Sequence, residues 1–300
     1  MDWKIEHKNW GSEFCWEKLA EVLKESHLKL FRQAIVDPET KEIIGYEILA
    51  RVQKENWEFA HLGNFFKLIE DLDLEKEFDL FFLDKSLARL AETNDNLPYH
   101  INVYPKTLLS FWFEGFLQKL CETYNIESSR IIIEIIESGE PLKVVIEKLK
   151  LKVMQLLQTE QERIQFQGWF KNQQPSESAS PEVVKLLNEK ILSLKKRWFA
   201  VFIDDYPSGN NTKELVHELK NIKGIKIDGN LIKHLYQQMT LAWFKSFLED
   251  LIKEIKELHG NENLEIVVEH VENQEILNLL SSIPDITGYQ GYHFSTPDNF

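Results

Sequence analysis

Short apolar segments alternate with longer amphipathic ones along most of the chain. The short segments are rich in Ile, Val and aromatic residues, which is typical of buried β-strands. The longer ones repeat their apolar residues every three or four positions, which predicts helices that pack by one face. The pattern predicts eight strands, at residues 28–36, 43–49, 99–103, 130–136, 198–203, 224–227, 264–269 and 286–290. It also predicts helices, among them 13–26, 77–92, 105–124, 212–220 and 241–258.

Strands that alternate with helices are typical of a (β/α)₈ barrel, which needs about 250 residues. The first two strands depart from this pattern because only residues 37–42 (DPETKE) separate them. A parallel crossover needs about a dozen residues, and the pair Asp37-Pro38 favours a tight turn instead. We therefore predict an α/β fold, a modified TIM (β/α)₈ barrel whose first strand runs antiparallel to the second.

The connection between the fourth and fifth strands is longer than a barrel repeat requires. It runs from residue 137 to residue 204, whereas a complete βαβ unit takes roughly 30 residues. Its pattern predicts a helix over 142–169, a polar loop at 173–181 and a second helix that ends near residue 196. We interpret residues 140–196 as a helical insertion between strands 4 and 5. Residues 1–12 are predicted to be an N-terminal leader and residues 13–300 a single barrel domain.

The composition of the chain excludes several classes of protein. Apolar residues make up 43% of it, enough for a large core, so the chain is not intrinsically disordered. The formal net charge of −14 argues against polymeric nucleic acid or an anionic membrane as a partner. No apolar stretch approaches the roughly 20 residues that cross a bilayer, and the charged opening MDWKIEHKNW is not a signal peptide. We therefore expect a cytoplasmic protein.

Most of the predicted strands end in a polar side chain. In barrels of this type the active site lies at the carboxyl ends of the strands. The residues at or near these ends are Glu47, Asn102, Glu134, Asp204, Asp205, Lys226, Glu269 and Gln290. Any one of them alone would be read as an exposed strand end, but together they predict a functional site.

Five of these side chains are carboxylates, and their charges need compensation. Two like charges 4 Å apart repel by about 4 kcal/mol at an effective dielectric constant of 20. Five carboxylates at one barrel mouth therefore require a cation. Oxygen ligands that include an asparagine carbonyl favour Mg²⁺ or Mn²⁺ over zinc. The adjacent Asp204 and Asp205 suit a two-metal site, whose natural reaction is phosphodiester hydrolysis.

Eight short motifs occur in a fixed order along the chain. They are QAIVD (33–37), EILAR (47–51), INV (101–103), EIIES (134–138), DDY (204–206), KID (226–228), EHVE (269–272) and YQGY (289–292), the last followed by Pro297. These motifs resemble QPIVD, EALLR, the asparagine-bearing strand, ELTES, DDF, KID, EGVE and QGYxFxxP of the EAL domain family. The family comprises phosphodiesterases that cut cyclic di-GMP to linear pGpG, and the resemblance covers residues 13–297 apart from the insertion.

The resemblance implies roles for individual residues and two divalent ions per site, Mg²⁺ or Mn²⁺. The first ion would be held by Glu47, Asn102, Glu134 and Asp204. The second would be held by Asp204, Asp205 and Glu269, with Asp204 bridging. Lys226 would lie beside the attacking water, and the catalytic candidates are Lys226, Glu269 and Glu47. The substrate-binding candidates are Arg51 for a phosphate oxygen, Gln33 for a guanine edge and Gln290 for water or ligand. Glu137 would support the loop after the fifth strand.

The chain departs from the family motifs near the metal site. The family loop DDFGTG is DDYPSG at residues 204–209, which replaces a flexible glycine by Pro207, and the glycine of EGVE is His270. No type of metal ligand is missing. Three functions therefore stay open: a cyclic di-GMP phosphodiesterase, a slow or inactive cyclic di-GMP receptor, and another metal-dependent barrel hydrolase. The resemblance also leaves open a homodimer and an unknown protein partner bound through the insertion.

Overall fold

The strands of the computed structural model form one sheet that closes on itself. The structure describes residues 27–53, 62–136, 181–207, 213–238, 241–259 and 263–300. Within these ranges the strands are β1 (His27–Val36), β2 (Ile43–Gln53), β3 (Tyr99–Val103), β4 (Ile131–Ile135), β5 (Ala200–Tyr206), β6 (Gly224–Ile227), β7 (Glu265–Val268), β8 (Gly288–Gln290) and β9 (Asp298–Asn299).

The strand order confirms the predicted barrel. Strands β2 to β8 follow one another as parallel neighbours, and β1 closes the ring by pairing antiparallel with both β2 and β8. The reversed β1 follows from the short turn after it, in which Asp37 accepts hydrogen bonds from the backbone of Glu39 and Thr40. The short β9 pairs with Phe31 and Arg32 of β1, next to the residues of β1 that pair with β8, and was not predicted.

Helices cover the outside of the barrel. In chain order they are α1 (Leu62–Asp71), α2 (Glu75–Leu90), α3 (Pro105–Leu108), α4 (Phe113–Tyr124), α5 (Pro181–Lys196), α6 (Lys213–Glu218), α7 (Gly229–Gln238), α8 (Leu241–His259) and α9 (Gln274–Leu280). The outward side chains of the strands and the inner faces of these helices form the main hydrophobic core. None of the described helices is long and apolar enough to cross a membrane.

The predicted helix 105–124 was wrong in one respect, because the structure has two helices there. Its central sequence LLSFWF is too apolar to bury on one helical face. The chain instead turns between α3 and α4, which buries Leu108, Leu109 and Phe113 and leaves Phe111 82% exposed.

The predicted start of the fifth strand also differs from the structure. Trp198 lies in a turn with φ 70° and is 79% exposed. The backbone N–H of Phe199 bonds to the carbonyl of Leu194, which closes the end of α5 before the strand begins at Ala200. Trp198 and Phe199 thus resemble the start of a strand in the sequence but precede it in the structure.

The long connection between β4 and β5 is described only at its C-terminal end. Helix α5 ends at Lys196, as predicted for the second helix of the insertion. Residues 137–180, which hold the predicted first helix and the polar loop, lie outside the described residues, as do the leader 1–12 and the predicted helix 13–26. The domain bounds accordingly stay a prediction.

The lower part of the barrel interior is apolar. Ile35, Ile132, Phe202 and Val267 point inward from four different strands and contact one another. The ring of Phe202 fits because β6 has glycine beside it: a Cβ on Gly224 would lie 2.3 Å from that ring. This layer, which we call the apolar floor, consists of these four residues and lies beneath the polar site.

Candidate active site

The polar side chains lie directly above the apolar floor. Side chains two positions apart on a strand share a face, so Glu134 follows Ile132 on β4 and Lys226 follows Gly224 on β6 at the inner face of the barrel. Lys226 is fully buried. Its Nζ lies 3.0 Å from Oε2 of Glu47, 3.3 Å from Oε2 of Glu134, 3.2 Å from Oδ1 of Asp204 and 2.7 Å from Oε1 of Glu269.

An irregularity in β5 allows two adjacent aspartates to reach the same cavity. In a regular strand Asp204 and Asp205 would point to opposite faces. The pairing of β5 with β6 shifts register between Ile203 and Tyr206, and Asp205 has φ 50°. Because of this shift β5 has one residue more than β6 between the two paired positions. An extra residue of this kind changes the direction of the side chains around it, and both aspartates line the cavity above the barrel.

Glu47 is held by amides as well as by Lys226. The Nδ2 of Asn102 donates to its Oε1 at 2.7 Å, and the Nε2 of Gln290 donates to its Oε2 at 2.6 Å. Gln290 also donates to Oε1 of Gln33 at 3.2 Å, and Gln33 donates to the carbonyl of Ser295 at 3.0 Å. The carboxylate is thereby fixed in position at the centre of the site.

The pKa values of the cluster reflect five carboxyls around one ammonium. Burial and the charges of neighbouring carboxylates raise the pKa of Asp205 and of Glu269 to about 8, and they raise that of Glu134 well above its usual value. Burial opposes ionisation of Glu47 too, but Lys226 and the hydrogen bonds to the carboxylate outweigh it, and the pKa of Glu47 is lowered. Burial would lower the pKa of Lys226, but the surrounding carboxylates raise it well above its usual value. One ammonium does not neutralise the whole cluster.

The arrangement of oxygen atoms fits divalent ions. Two groups each offer three carboxylate oxygens within 4.8 Å of one another: Glu47, Glu134 and Asp204 in one, and Asp204, Asp205 and Glu269 in the other. Asp204 belongs to both groups. The Oδ1 of Asn102 is buried and has no hydrogen-bond partner among the described residues, so it is a carbonyl oxygen available to a ligand. Hard cations such as Mg²⁺ prefer this set of oxygen donors.

A cavity of about 370 Å³ opens above the cluster. Arg51 and Gln33, the two candidates for substrate binding that line this cavity together with Gln290, lie beside the carboxylates. The Nη1 of Arg51 donates to the carbonyl of Ala50. The amide of Gln33 is engaged at both ends by Gln290 and Ser295, so it would have to exchange a bond to contact a base. Glu137 lies outside the described residues.

A second cavity of about 230 Å³ adjoins the first. The two share Leu49, Arg51 and Asp205 in their walls. The walls of the second cavity are mainly apolar and include the aromatic rings of Phe66, Phe78, Phe82 and Tyr104. Asp79 lies at this cavity too, where burial raises its pKa well above the usual value and the backbone N–H of Tyr104 donates to it.

Sequence reasoning missed several residues of the site. Asp228 and Glu272 line the larger cavity and lie within motifs that were recognised, so their motifs were the available signal. His100 is buried, and its Nδ1 lies 2.7 Å from Oε1 of Glu134. Burial and the nearby Lys226 lower the pKa of His100 to about 3. The signal for His100 was strand alternation, because it lies two positions before Asn102 on β3.

His270 lies at the rim of the cavity in an uncommon backbone conformation. Its φ is 60°, a region that non-glycine residues rarely adopt. Its Nδ1 lies 3.3 Å from Oε1 of Glu272. Gly229 faces it, and a Cβ on that glycine would lie 2.9 Å from the Cβ of His270. The glycine therefore makes the room that the histidine needs.

The sequence matches a known family over half of its length. Residues 16–165 match the family described as EAL domain. A cyclic di-GMP phosphodiesterase of Escherichia coli (strain K12), PdeF, is 23% identical over 285 residues, which is 93% of this chain and 31% of that protein. A probable cyclic di-GMP phosphodiesterase of the same organism, PdeA, is 27% identical over 282 residues, 92% of this chain and 31% of that protein. The chain thus spans about a third of the length of the curated relatives that it matches.

The fold has counterparts among solved structures. The EAL enzyme Bd1971, in a form bound to cAMP and cyclic di-GMP, superposes with a TM-score of 0.68 at 17% identity. The match covers 94% of this chain and 65% of that one. At such low identity the likeness establishes the fold.

Proposed function

Because the chain belongs to the EAL domain family, we propose that it hydrolyses cyclic di-GMP to linear pGpG with the help of two divalent ions, Mg²⁺ or Mn²⁺. The observation that carries the proposal is the set of carboxylates around Lys226. Its members form two adjoining groups of three that share Asp204. A shared carboxylate between two oxygen-rich groups is the arrangement that two-metal phosphodiester hydrolysis needs.

Each residue of the cluster has a defined task in this proposal. Bound ions would supply a water of lowered pKa and would offset the charge on the phosphoryl oxygens. The first ion would be held by Glu47, Asn102, Glu134 and Asp204, and the second by Asp204, Asp205 and Glu269. Lys226, held by four carboxylates, would place its positive charge next to the attacking water. Gln290 keeps Glu47 oriented through its 2.6 Å hydrogen bond.

The two cavities suit a ligand with two bases and two phosphates. Arg51 lies where the cavities meet, and its planar guanidinium would bind a phosphate oxygen. One guanine would lie in the larger cavity near Gln33. The other would lie in the smaller cavity, whose aromatic side chains offer surfaces for a base. Arg51 and the ions would offset the acidic character of the protein at the site.

The test is an incubation of the purified chain with cyclic di-GMP and Mg²⁺ or Mn²⁺, with chromatographic detection of pGpG. A matched pair of variants controls for general damage. Glu269→Gln removes a carboxylate at the end of β7 that faces the cavity, and Glu265→Gln removes one at the opposite end of the same strand, where it contacts Lys223. We expect pGpG from the parent and from Glu265→Gln and none from Glu269→Gln. Tight binding of cyclic di-GMP by the parent without any pGpG would favour the receptor function instead.

A further inference from the structure

A buried histidine contacts the carboxylate cluster from outside the set of proposed metal ligands. The side chain of His100 is 5% exposed, and its Nδ1 lies 2.7 Å from Oε1 of Glu134. The edge of its ring packs against Phe202 of the apolar floor, with ring centroids 4.8 Å apart. His100 thus contacts the floor residue Phe202 on one side and Glu134 on the other.

His100 and Lys226 each contact a different oxygen of Glu134. Glu134 is fully buried. Its Oε1 is engaged by His100, while its Oε2 lies 3.3 Å from Nζ of Lys226. A carboxylate that is fixed at both oxygens does not rotate about its terminal bond. A ring nitrogen and a carboxylate oxygen 2.7 Å apart share one hydrogen, and an ionised Glu134 requires that hydrogen to be on the imidazole.

We propose that His100 is a positioning residue for Glu134: its Nδ1–H holds Oε1 and thereby presents Oε2 to the divalent ion. The inference rests on the proposed function in so far as the cluster binds such an ion. Hydrogen bonds to ligating side chains commonly set metal affinity, and their loss costs roughly ten- to hundredfold. His100 itself contacts neither substrate nor ion.

Two variants of His100 separate the hydrogen bond from the volume of the ring. His100→Asn keeps an N–H donor at the position of Nδ1, whereas His100→Leu has no donor. The control is Ile132→Val, a buried residue of the neighbouring strand that pairs in register with His100. It loosens the same wall of the barrel without touching the hydrogen bond.

The main measurement is a titration with Mn²⁺ in the absence of substrate, followed by the electron paramagnetic resonance signal of the free ion. We expect His100→Leu to bind Mn²⁺ roughly 10- to 100-fold more weakly than the parent. His100→Asn and Ile132→Val should stay within about threefold of the parent, since neither loses the donor. Thermal unfolding of all four proteins shows how much stability each change costs. If His100→Leu and Ile132→Val lost stability alike and bound Mn²⁺ as the parent does, His100 would be merely structural and the inference wrong.

A second measurement tests the position of the hydrogen directly and depends neither on activity nor on metal affinity. Nitrogen chemical shifts of the histidine side chains in the Mg²⁺-loaded protein report which ring nitrogen carries the hydrogen. We expect His100 as the Nδ1–H form; the opposite tautomer would overturn the inference. The outcome for the proposed function is distinguishable from this one. If Mn²⁺ binding depends on His100 as expected but the parent forms no pGpG, the proposed function is wrong and the inference on His100 stands.

Discussion

The two layers of the barrel interior are built from the same strands and have opposite properties. On β4, β5 and β7 the floor residues Ile132, Phe202 and Val267 are followed two positions later by Glu134, Asp204 and Glu269. On β1, which runs in the opposite direction, Gln33 comes two positions before Ile35. The floor is apolar and tightly packed. The other layer, which we call the polar layer, consists of Lys226 and the five carboxyls of Glu47, Glu134, Asp204, Asp205 and Glu269.

Side chains only two positions apart on a strand are therefore expected to serve different purposes, the floor residues the stability of the fold and the polar residues the reaction. Burying apolar side chains stabilises the fold by about 25 cal/mol for each Å² removed from water. Burying carboxylates costs free energy unless a cation compensates them. We therefore expect substitutions in the floor to change mainly the free energy of unfolding, and substitutions of the carboxylates to change mainly turnover. Lys226 compensates the carboxylates and should affect both quantities. The predictions below test this division.

The largest effect is expected for Lys226→Met, which removes a cation that contacts four carboxylates. Turnover should fall by roughly a thousandfold, since a preorganised charge at the reacting centre is lost. The free energy of unfolding of the metal-free protein should fall by about 3–5 kcal/mol because buried charges lose their partner. Urea denaturation with and without Mg²⁺ checks this, and added Mg²⁺ should restore part of the loss. Unchanged stability would show that the carboxylates do not depend on the lysine.

Asp204→Asn should lower turnover strongly while the free energy of unfolding changes little. Asp204 belongs to both groups of oxygen atoms, and a loss of about 4 kcal/mol of transition-state stabilisation corresponds to roughly a thousandfold in rate. The free energy of unfolding without metal should stay within about 1 kcal/mol or rise, since burial raises the pKa of this carboxyl and disfavours its charge.

The control for that variant lies two residues earlier on the same strand. Phe202→Leu should cost about 1 kcal/mol of stability and leave turnover within a few-fold. The division between the layers would be wrong if Phe202→Leu lost as much turnover as Asp204→Asn.

A smaller effect is expected from Gly224→Ala, next to the floor residue Phe202. The added methyl group would lie 2.3 Å from the ring of Phe202 and 2.8 Å from the carbonyl oxygen of Glu265. Such overpacking costs about 1–3 kcal/mol. The double variant with Phe202→Leu should regain part of this loss, and a double-mutant cycle of unfolding free energies measures the coupling. If the two losses of unfolding free energy were simply additive, the strain would arise at the carbonyl oxygen of Glu265 in β7 and not at Phe202.

The smallest effect is expected for Pro207→Gly, above the polar layer. Pro207 takes the place of a flexible glycine of the family loop, and its ring fixes φ at about −65°. We therefore expect this proline to stiffen the loop after the two aspartates and to slow turnover. We expect turnover to rise a few-fold at unchanged substrate affinity, alone or with Ser208→Thr. Equal rates in both proteins would show that the polar layer alone sets the rate. Light scattering on the same samples tests the homodimer that the family resemblance leaves open.

The fold was largely predictable because its signals are local. The alternation of strands and helices and the short turn at Asp37-Pro38 are contained in a few neighbouring residues each. Errors arose where a local pattern was ambiguous. Trp198 and Phe199 look like the start of a strand, but a hydrogen bond from Phe199 back to Leu194 ends a helix there.

The site was predictable as a set of residue types and not as a set of contacts. Strand ends and motif order indicated the carboxylates, Asn102 and Lys226. The role of His100 depends on the distance from its Nδ1 to a residue 34 positions away, and the engaged amide of Gln33 depends on Ser295, 262 positions away. Such pairs follow from the closure of the barrel, which a single sequence does not specify to within an ångström.

The contact between Gly229 and His270 has a consequence for how this protein changes over generations. Their facing Cα positions leave room for one Cβ, at 2.9 Å from where a second would stand. While the histidine is present, any mutation of Gly229 that adds a side chain is expected to be harmful. With glycine at position 270 this contact would be absent, and position 229 could then carry a side chain. The two positions should therefore vary together, and we expect a side chain at position 229 only where position 270 is glycine.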